Sequence, residues 1–241
     1  VATLVTPSGF RGVFRTDDEA RAVYSESAGV GRILPRAVAV PADAADVVTL
    51  VQWAARERIA LTPRGSGSSM ANGAIGAGVI VDLGQLNAMG HVDAGTRTLR
   101  VGPAVTRDAV ETVAQGARLT FPVDPSSGAF ATIGGMCATN AAGASTVRHG
   151  AMRRWVVALD CVFADGTRAM VRRGTKTTDV RAIDRFLRDA GPAIKRAGRA
   201  VYRLPDVRKQ SSGYGLADWA DSGDIVDLLI GSEGTLAIIV G

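Results

Sequence analysis

Apolar positions follow two periods along this chain, and the elements can be read from them. Residues 37–40, Ala-Val-Ala-Val, form an unbroken apolar run that predicts a short buried strand. Pro41-Ala42-Asp43 resets the backbone, and Asp43 reads as a helix N-cap with Asp46 in the first turn. Val47, Leu50, Val51 and Ala54 then recur at helical spacing and give that helix one apolar face. Residues 59–62 predict the next strand, so this strand–helix–strand unit implies a parallel pair with a helical crossover. Strands are also expected over 79–83 and 96–105, a short helix over 107–115 and extended chain over 117–121. Residues 156–163 and 168–171 flank Asp165-Gly166, which is a hairpin signal. A helix is expected over 178–190, with Ile183, Phe186, Leu187 and Ala190 on one side, and Gly191-Pro192 interrupts it. Residues 228–240 read as strand–turn–strand. The sequence stops inside that last apolar run, from which a fragment of a longer protein is expected.

Between the periodic segments lie stretches of small residues. Pro63-Arg64-Gly65-Ser66-Gly67-Ser68-Ser69 directly follows a predicted strand. Glycines there let successive backbone N–H groups converge into an anion nest, and the serines add hydroxyl donors without blocking approach. A dinucleotide pyrophosphate suits such a cradle. The loop is not a Rossmann fingerprint, because Met70 stands where the third glycine is required, and no Gly-Lys-Ser/Thr follows to make a P-loop. Asp124-Pro125-Ser126-Ser127 leads into a second stretch, 131–144, whose side chains are nearly all small. Such a segment lets backbone lie against a flat ligand, with Thr132 and Asn140 as the polar exceptions that could orient it. Near the end, Gly231-Ser232-Glu233-Gly234-Thr235-Leu236 sets a carboxylate between two glycines before an apolar run. Each segment also has a plain structural reading: a flexible surface loop, a tight crossing of chain segments, and a turn with a solvated carboxylate.

Composition narrows the classes. With 241 residues, 46% of them apolar, the chain can build one large domain or two small lobes. No run of 18 apolar residues predicts a transmembrane helix, and the opening Val1 to Pro7 shows no signal-peptide pattern, although a start without Met is compatible with trimming. Cys137 and Cys161 are the two cysteines, without a C-x-x-C or a Cys/His cluster, so neither a metal site nor a disulfide framework is supported and a reducing cytoplasm is the default. The net charge of +5 accords with an anionic partner or with solvated arginines. The most basic stretch, 195–209, reads as a solvated helix end and loop. A nucleic-acid-binding module there would have charge but no motif, and aromatic residues are only 5% of the chain.

Taken in order, the three small-residue segments resemble the FAD-binding domain of the vanillyl-alcohol oxidase/PCMH superfamily. Within it they are most similar to the D-2-hydroxyacid dehydrogenases, which include cytochrome-type D-lactate dehydrogenase, the glycolate oxidase flavin subunit and D-2-hydroxyglutarate dehydrogenase. Further matches are Arg32-Ile33-Leu34-Pro35-Arg36, Ser212-Gly213-Tyr214-Gly215-Leu216 and the hairpin ending in Asp165-Gly166. The resemblance covers roughly residues 20–241. It implies an α+β, two-lobed PCMH-type fold: a lead-in over 1–34, a small βαβ lobe over 35–87, and a larger mixed-sheet lobe over 88–241, with FAD between the lobes. It implies that Arg64, Gly65, Ser66, Gly67, Ser68 and Ser69 wrap the pyrophosphate. Thr132, Gly134, Gly135, Ala138 and Asn140 would line the flavin and ribityl chain, with Asp124 and Gly143 in the same cofactor set. Glu233, Gly234 and Ile238 would sit near the adenosine end.

The departures from the family pattern carry expectations of their own. Covalently flavinylated relatives have His where this chain has Ser68, and the Cys of doubly attached relatives would fall near Phe130, so FAD is expected to be non-covalent. The stretch 174–209 is longer and more basic than usual. The cap domain that holds the substrate and its proton-accepting base follows the closing strand in the family and is expected to be missing here. His91 and His149 read as structural or solvated, so no catalytic residue is assigned. The implied activity is oxidation of a D-2-hydroxyacid such as D-lactate, glycolate or D-2-hydroxyglutarate by hydride transfer to the flavin, with no nucleic acid as partner and an electron acceptor the sequence does not name. The implied place is cytoplasmic, or peripheral to the inner membrane. Competing readings are a non-catalytic FAD-binding subunit of a multi-subunit dehydrogenase and a UDP-N-acetylenolpyruvoylglucosamine reductase-like flavoprotein. The latter usually carries Pro-Gly-Thr-x-Gly-Gly where this chain has Ala131-Thr132-Ile133-Gly134-Gly135. The flavin subunit of molybdenum hydroxylases shares Thr-Ile-Gly-Gly but usually lacks the Gly-Ser-Glu-Gly-Thr ending.

Overall fold

The computed structural model describes residues 4–177, 179–201 and 210–241. Its first sheet is four-stranded, in the order β1-β2-β4-β3, built from β1 (Val13–Arg15), β2 (Ala37–Val40), β3 (Leu61–Arg64) and β4 (Val79–Asp82). Strand β1 pairs antiparallel with β2, while β4 runs parallel to both β2 and β3. The expected parallel pair is therefore split: β2 and β3 are parallel but lie on either side of β4. Because β3 and β4 are neighbours and parallel, the chain must return the full length of the sheet between them. No helix makes that return. Residues 65–78, the first glycine-rich segment, do so as irregular backbone.

Helix α2 (Ala44–Glu57) crosses from β2 to β3 as its pattern predicts. Asp43 caps it, with the carboxylate accepting from the N–H groups of Ala45 and Asp46, a contribution of about 1 kcal/mol. Asp46 is buried and accepts from Ala42 N at 2.9 Å and from Arg11 N and Nε at 3.1 and 3.2 Å. Val47, Leu50, Val51 and Ala54 are all buried on one face. That face packs in a cluster that includes Val79 and Val81 of β4 together with Val162 and Ile238 of the second sheet and Val240 just beyond it.

The second sheet is three-stranded and antiparallel, in the order β6-β5-β7, with β5 (Ala158–Phe163), β6 (Arg168–Arg172) and β7 (Ala237–Ile239). The predicted hairpin is present, and Asp165 steadies its turn by accepting from Thr167 N. A second apolar cluster joins this sheet to α4 (Ile133–Ala138), α6 (Arg181–Asp189) and α9 (Ile225–Leu229) through Met136, Cys137, Ile183, Val226 and Leu229. The remaining helices are α1 (Asp18–Val23), α3 (Arg107–Gly116), α5 (Thr146–His149), α7 (Gly191–Val201) and α8 (Leu216–Ser222). No helix among the described residues is long and apolar enough to cross a membrane.

Several expectations change. Residues 96–105 form no strand, only isolated bridges Asp93↔Thr98 and Met89↔Val101. Gly102 and Pro103 interrupt the run, and Pro103 has no N–H for a ladder. Residues 225–229 are helical where 228 onward was expected to be strand, because the Ile225, Val226, Leu228 and Leu229 pattern also satisfies a single helical turn against the core. On α6, Leu187 is exposed, so the expected apolar face is narrower than predicted. Residue 178 and residues 202–209, most of the basic stretch 195–209, lie outside the described residues. Within the described part, Lys195 Nζ stands 5.3 Å over the Trp219 ring.

Candidate functional site

A cleft of about 260 Å³ opens where the three small-residue segments meet. Its first wall begins at the C-terminal end of β3, the edge of a parallel sheet where ligands bind in open α/β layers. Arg64, Gly65, Ser66, Gly67, Ser68 and Ser69 all line it. Gly67 has φ +72°, and a β-carbon there would lie 2.5 Å from Arg64 Nη2, so this position requires glycine for both backbone and space. The carbonyl of Gly67 accepts from Ala28 N at 3.0 Å. Among the described residues, none of the backbone N–H groups from Gly65 to Met70 donates to a protein acceptor. Ser66 and Met70 are exposed and the rest of the loop except Gly67 is half-buried, so these donors are open to a ligand or to solvent. They make an anion nest.

The second wall is α4 and its entry. Thr132 caps this helix, its Oγ1 accepting from Gly135 N at 3.3 Å. The two walls touch where a β-carbon on Gly65 would overlap Thr132 Oγ1. Ala131, Gly134, Gly135 and Ala138 present almost no side chain to the cleft, leaving a flat surface. The third wall is docked on the end of α4: Gly231 N donates to Cys137 O at 3.0 Å and Glu233 N to Ala138 O at 2.9 Å. Glu233 and Gly234 line the cleft, the former near Gly73 and the latter against Pro63.

Two charged side chains face this space, Arg64 and Glu233. The Arg64 guanidinium is held in place: Nη1 donates to Glu26 O at 2.7 Å and Ala74 O at 3.2 Å, and the group stacks 5.2 Å from the Tyr24 ring centroid. The Tyr24 hydroxyl donates to the Asp82 carboxylate. Burial, and then that hydrogen bond and the Asp82 charge, push Tyr24 up to about 12, so it remains a donor.

Four predicted site residues lie elsewhere. Ile238 packs in the α2 core, because strand alternation turns Ala237 and Ile239 toward the cleft and Ile238 away. Asn140 is buried with φ +48°; its Oδ1 accepts from Arg153 N at 2.9 Å and its Nδ2 donates to Ser211 O at 3.3 Å, so it ties backbone segments together. Asp124 accepts from Ser145 N and Oγ at 3.0 and 2.9 Å. Gly143 makes room for the Asp124 backbone, which a β-carbon would overlap. The sequence reading missed Ala74, Leu83 and Pro103, which also line the cleft. Leu83 follows β4 directly, and its position at a parallel strand's C-terminal end was the available signal. Neither His91 nor His149 lines it: His91 is exposed, and His149 stacks on Trp155 at 6.5 Å. Among the described residues no group of His, Cys, Asp and Glu could hold a metal. Both thiols are buried, and burial pushes Cys137 up to about 12 and Cys161 up as well.

The donor set fits a dinucleotide. Unpaired N–H groups beside one guanidinium suit a pyrophosphate, and a flat wall of Gly and Ala suits a planar ring. Comparison with known proteins agrees. Residues 35–172 match the family described as "FAD binding domain". The chain is 30% identical over 208 residues to D-2-hydroxyglutarate dehydrogenase of Xanthomonas citri pv. viticola, covering 86% of this chain and 35% of that protein. It is 30% identical over 214 residues to D-lactate dehydrogenase of Archaeoglobus fulgidus (86% and 39%). To glycolate oxidase subunit GlcD of Bacillus subtilis it is 26% identical over 230 residues (94% and 40%). The chain thus spans two fifths or less of these relatives. Among solved structures, alkyldihydroxyacetonephosphate synthase superposes with a TM-score of 0.65 at 18% identity, covering 94% of this chain and 35% of that one. For 6-hydroxy-D-nicotine oxidase of Arthrobacter nicotinovorans the TM-score is 0.62 at 21% identity, covering 78% and 41%. At these identities the superpositions establish the fold alone, which this chain shares with both.

Proposed function

The chain belongs to the FAD-binding domain family, and from that premise we propose that it is the flavin-holding part of an oxidoreductase that oxidises a D-2-hydroxyacid. The names of the curated relatives support the substrate class. The observation that carries the cofactor role is the run of unpaired N–H groups from Gly65 to Ser69, in residues that line the same cleft as the small-residue wall of α4.

Bound FAD supplies a two-electron acceptor for the hydride of the substrate. The protein supplies position and charge. The N–H groups of 65–69 and the Ser66 and Ser68 hydroxyls would donate to the pyrophosphate, and Arg64 would offset part of its charge. Ala131, Gly134, Gly135 and Ala138 would let the backbone approach the ring system, and Glu233 would accept from hydroxyl or amino groups of the nucleoside end. Asp124, Asn140, Gly143 and Ile238 support these walls from behind. We assign no proton-accepting base within this chain.

Ser68 stands at the position of the attachment His in covalent relatives, so FAD is held without a bond to the protein. The two reduced, buried cysteines favour a cytoplasmic setting. The test is a spectrum of the purified chain after incubation with FAD and desalting, followed by acid precipitation. Flavin that co-elutes and then leaves with the supernatant supports the reading. Flavin retained in the pellet overturns the non-covalent assignment, and a folded, colourless protein overturns the cofactor role. Substrate is assigned in the full-length protein, by which of D-lactate, glycolate and D-2-hydroxyglutarate bleaches the flavin.

A further inference from the structure

The family match begins at residue 35, yet the glycine loop is held from outside by residues that precede it. The segment 24–31 lies along the loop as a strap. Ala28 N donates to Gly67 O at 3.0 Å, and Gly31 N donates to Asn72 Oδ1 at 3.1 Å. Gly29 is packed so closely that a β-carbon would lie 2.5 Å from Met70 O. Glu26 contributes its carbonyl to Arg64 Nη1 at 2.7 Å. The strap therefore bonds to the Gly67 carbonyl and the Asn72 side chain, and among the described residues the N–H groups of 65–70 stay unpaired.

Arg64 couples strap and loop. One guanidinium nitrogen bridges Glu26 O in the strap and Ala74 O at the far end of the loop, while the guanidinium edge rests against the Gly67 backbone. A long cation does not hold such a pose unaided, because its side chain carries about 2 kcal/mol of rotamer entropy. Tyr24 fixes it. The ring lies under the guanidinium at 5.2 Å, and the hydroxyl is anchored to Asp82, the residue opposite Arg64 in the β3–β4 register.

We infer that Tyr24 is a positioning residue for the pyrophosphate cradle, acting through Arg64 to hold the 65–70 backbone in its ligand-ready form. The inference rests on the FAD-binding reading. Tyr24 does not line the cleft, so its effect on a ligand is transmitted rather than made by contact. Removing the ring frees Arg64, and the loop must then be ordered at the moment of binding.

The experiment titrates FAD, and separately ADP, into the full chain and into Tyr24→Leu, Tyr24→Phe and Tyr24→Met, with the melting temperature of each ligand-free protein recorded. Tyr24→Leu is expected to weaken both ligands about tenfold, the scale of a partly desolvated cation–π contact. Both carry the pyrophosphate, so both lose by a similar factor. Tyr24→Phe, which keeps the ring under Arg64, recovers most of the affinity. If Tyr24→Leu does not fold, Tyr24→Met decides: it fills similar space but places no ring under Arg64, and it is expected to show the same loss. Binding of FAD and ADP within twofold of wild type by the folded Tyr24→Leu, or by Tyr24→Met if it decides, overturns the inference, as does a loss confined to FAD. Wild-type protein that binds neither ligand overturns the FAD reading itself.

Discussion

Gly67 and Asp124 show how single residues shape the cleft without chemistry of their own. At Gly67 the left-handed backbone and the adjacent guanidinium leave no room for a β-carbon. Gly67→Ala adds about 1 kcal/mol or more of backbone strain and displaces Arg64. FAD affinity should fall roughly tenfold or more, measured by flavin fluorescence quenching, while the far-ultraviolet circular dichroism stays unchanged. Asp124 sits behind the second wall. Burial raises its carboxyl, but the Ser145 N–H and hydroxyl that donate to it prevail, and the net shift is downward. A carboxylate lowered in the folded state contributes stability above its ordinary value near ~4 and loses it as pH falls through the folded value. Asp124→Asn should therefore flatten the stability–pH profile below about pH 4, followed by urea unfolding at each pH. An unchanged acid limb would remove Asp124 from this role. The thiols make a third case. Cys137 and Cys161 are buried and held as neutral thiols, so at pH 8 neither should react with a disulfide reagent in the native protein, and both should react in urea.

Elements differ in how openly the sequence declares them. Helix α2 is legible because cap, period and length agree: Asp43, the Val47-Leu50-Val51-Ala54 stripe and the following strand all point one way. The β5–β6 hairpin is legible through Asp165-Gly166. The short helices α4 and α5 are not, because Gly134, Gly135 and Ala138 carry no period to read, and α4 exists by virtue of the Thr132 cap and its contacts with Pro103 and the closing motif. The site shows the same divide. The glycine loop and the Glu233-Gly234 turn were visible as motifs, whereas the sequence does not say that the side chains of Asn140 and Ile238 turn away from the cleft. The Tyr24 strap was invisible, since contacts far apart in sequence leave no local pattern. Element α9 shows how such contacts are enforced. Arg153, half-buried beneath it, donates from Nε to Asp227 O at 3.1 Å and from Nη2 to Ile230 O at 2.7 Å, and pairs with Asp218 at 3.0 Å. Burial lowers this guanidinium and the flanking carboxylates oppose that, a balance that leaves it charged. Arg153→Ala strands these acceptors and should cost about 3 kcal/mol. It should also speed hydrogen exchange over 213–230 before the first sheet responds. Uniform exchange throughout would argue that α8 and α9 are not a separable unit.

At the scale of the molecule, the cleft needs its walls to keep their spacing, and the walls belong to different sheets. Arg64 to Ser69 leave the first sheet at β3, while Ala237 and Ile239 belong to β7 of the second. What fixes one against the other is α2. Its apolar face meets β2 and β4, and the same cluster takes in Val162 of β5 and Ile238 and Val240 around β7. Leu50 is fully buried in the middle of this joint. If α2 were packed on the first sheet alone, truncating Leu50 would loosen that sheet and leave the second intact. Because the cluster is shared, Leu50→Ala should lower the stability of the whole chain by about 2–5 kcal/mol, with fluorescence and circular dichroism reporting one coincident transition. The same joint predicts how ligand and fold are linked. FAD at a hundred times its Kd adds about 2.7 kcal/mol to the folded state, which for a chain of this size raises the melting temperature by roughly 5–10 °C. In Leu50→Ala the free protein melts lower, and FAD should recover less of that loss than in wild type, since part of its binding energy goes into restoring the spacing of the walls. A variant that melts lower yet gains as much from FAD as wild type would show that α2 supports the fold without setting the cleft.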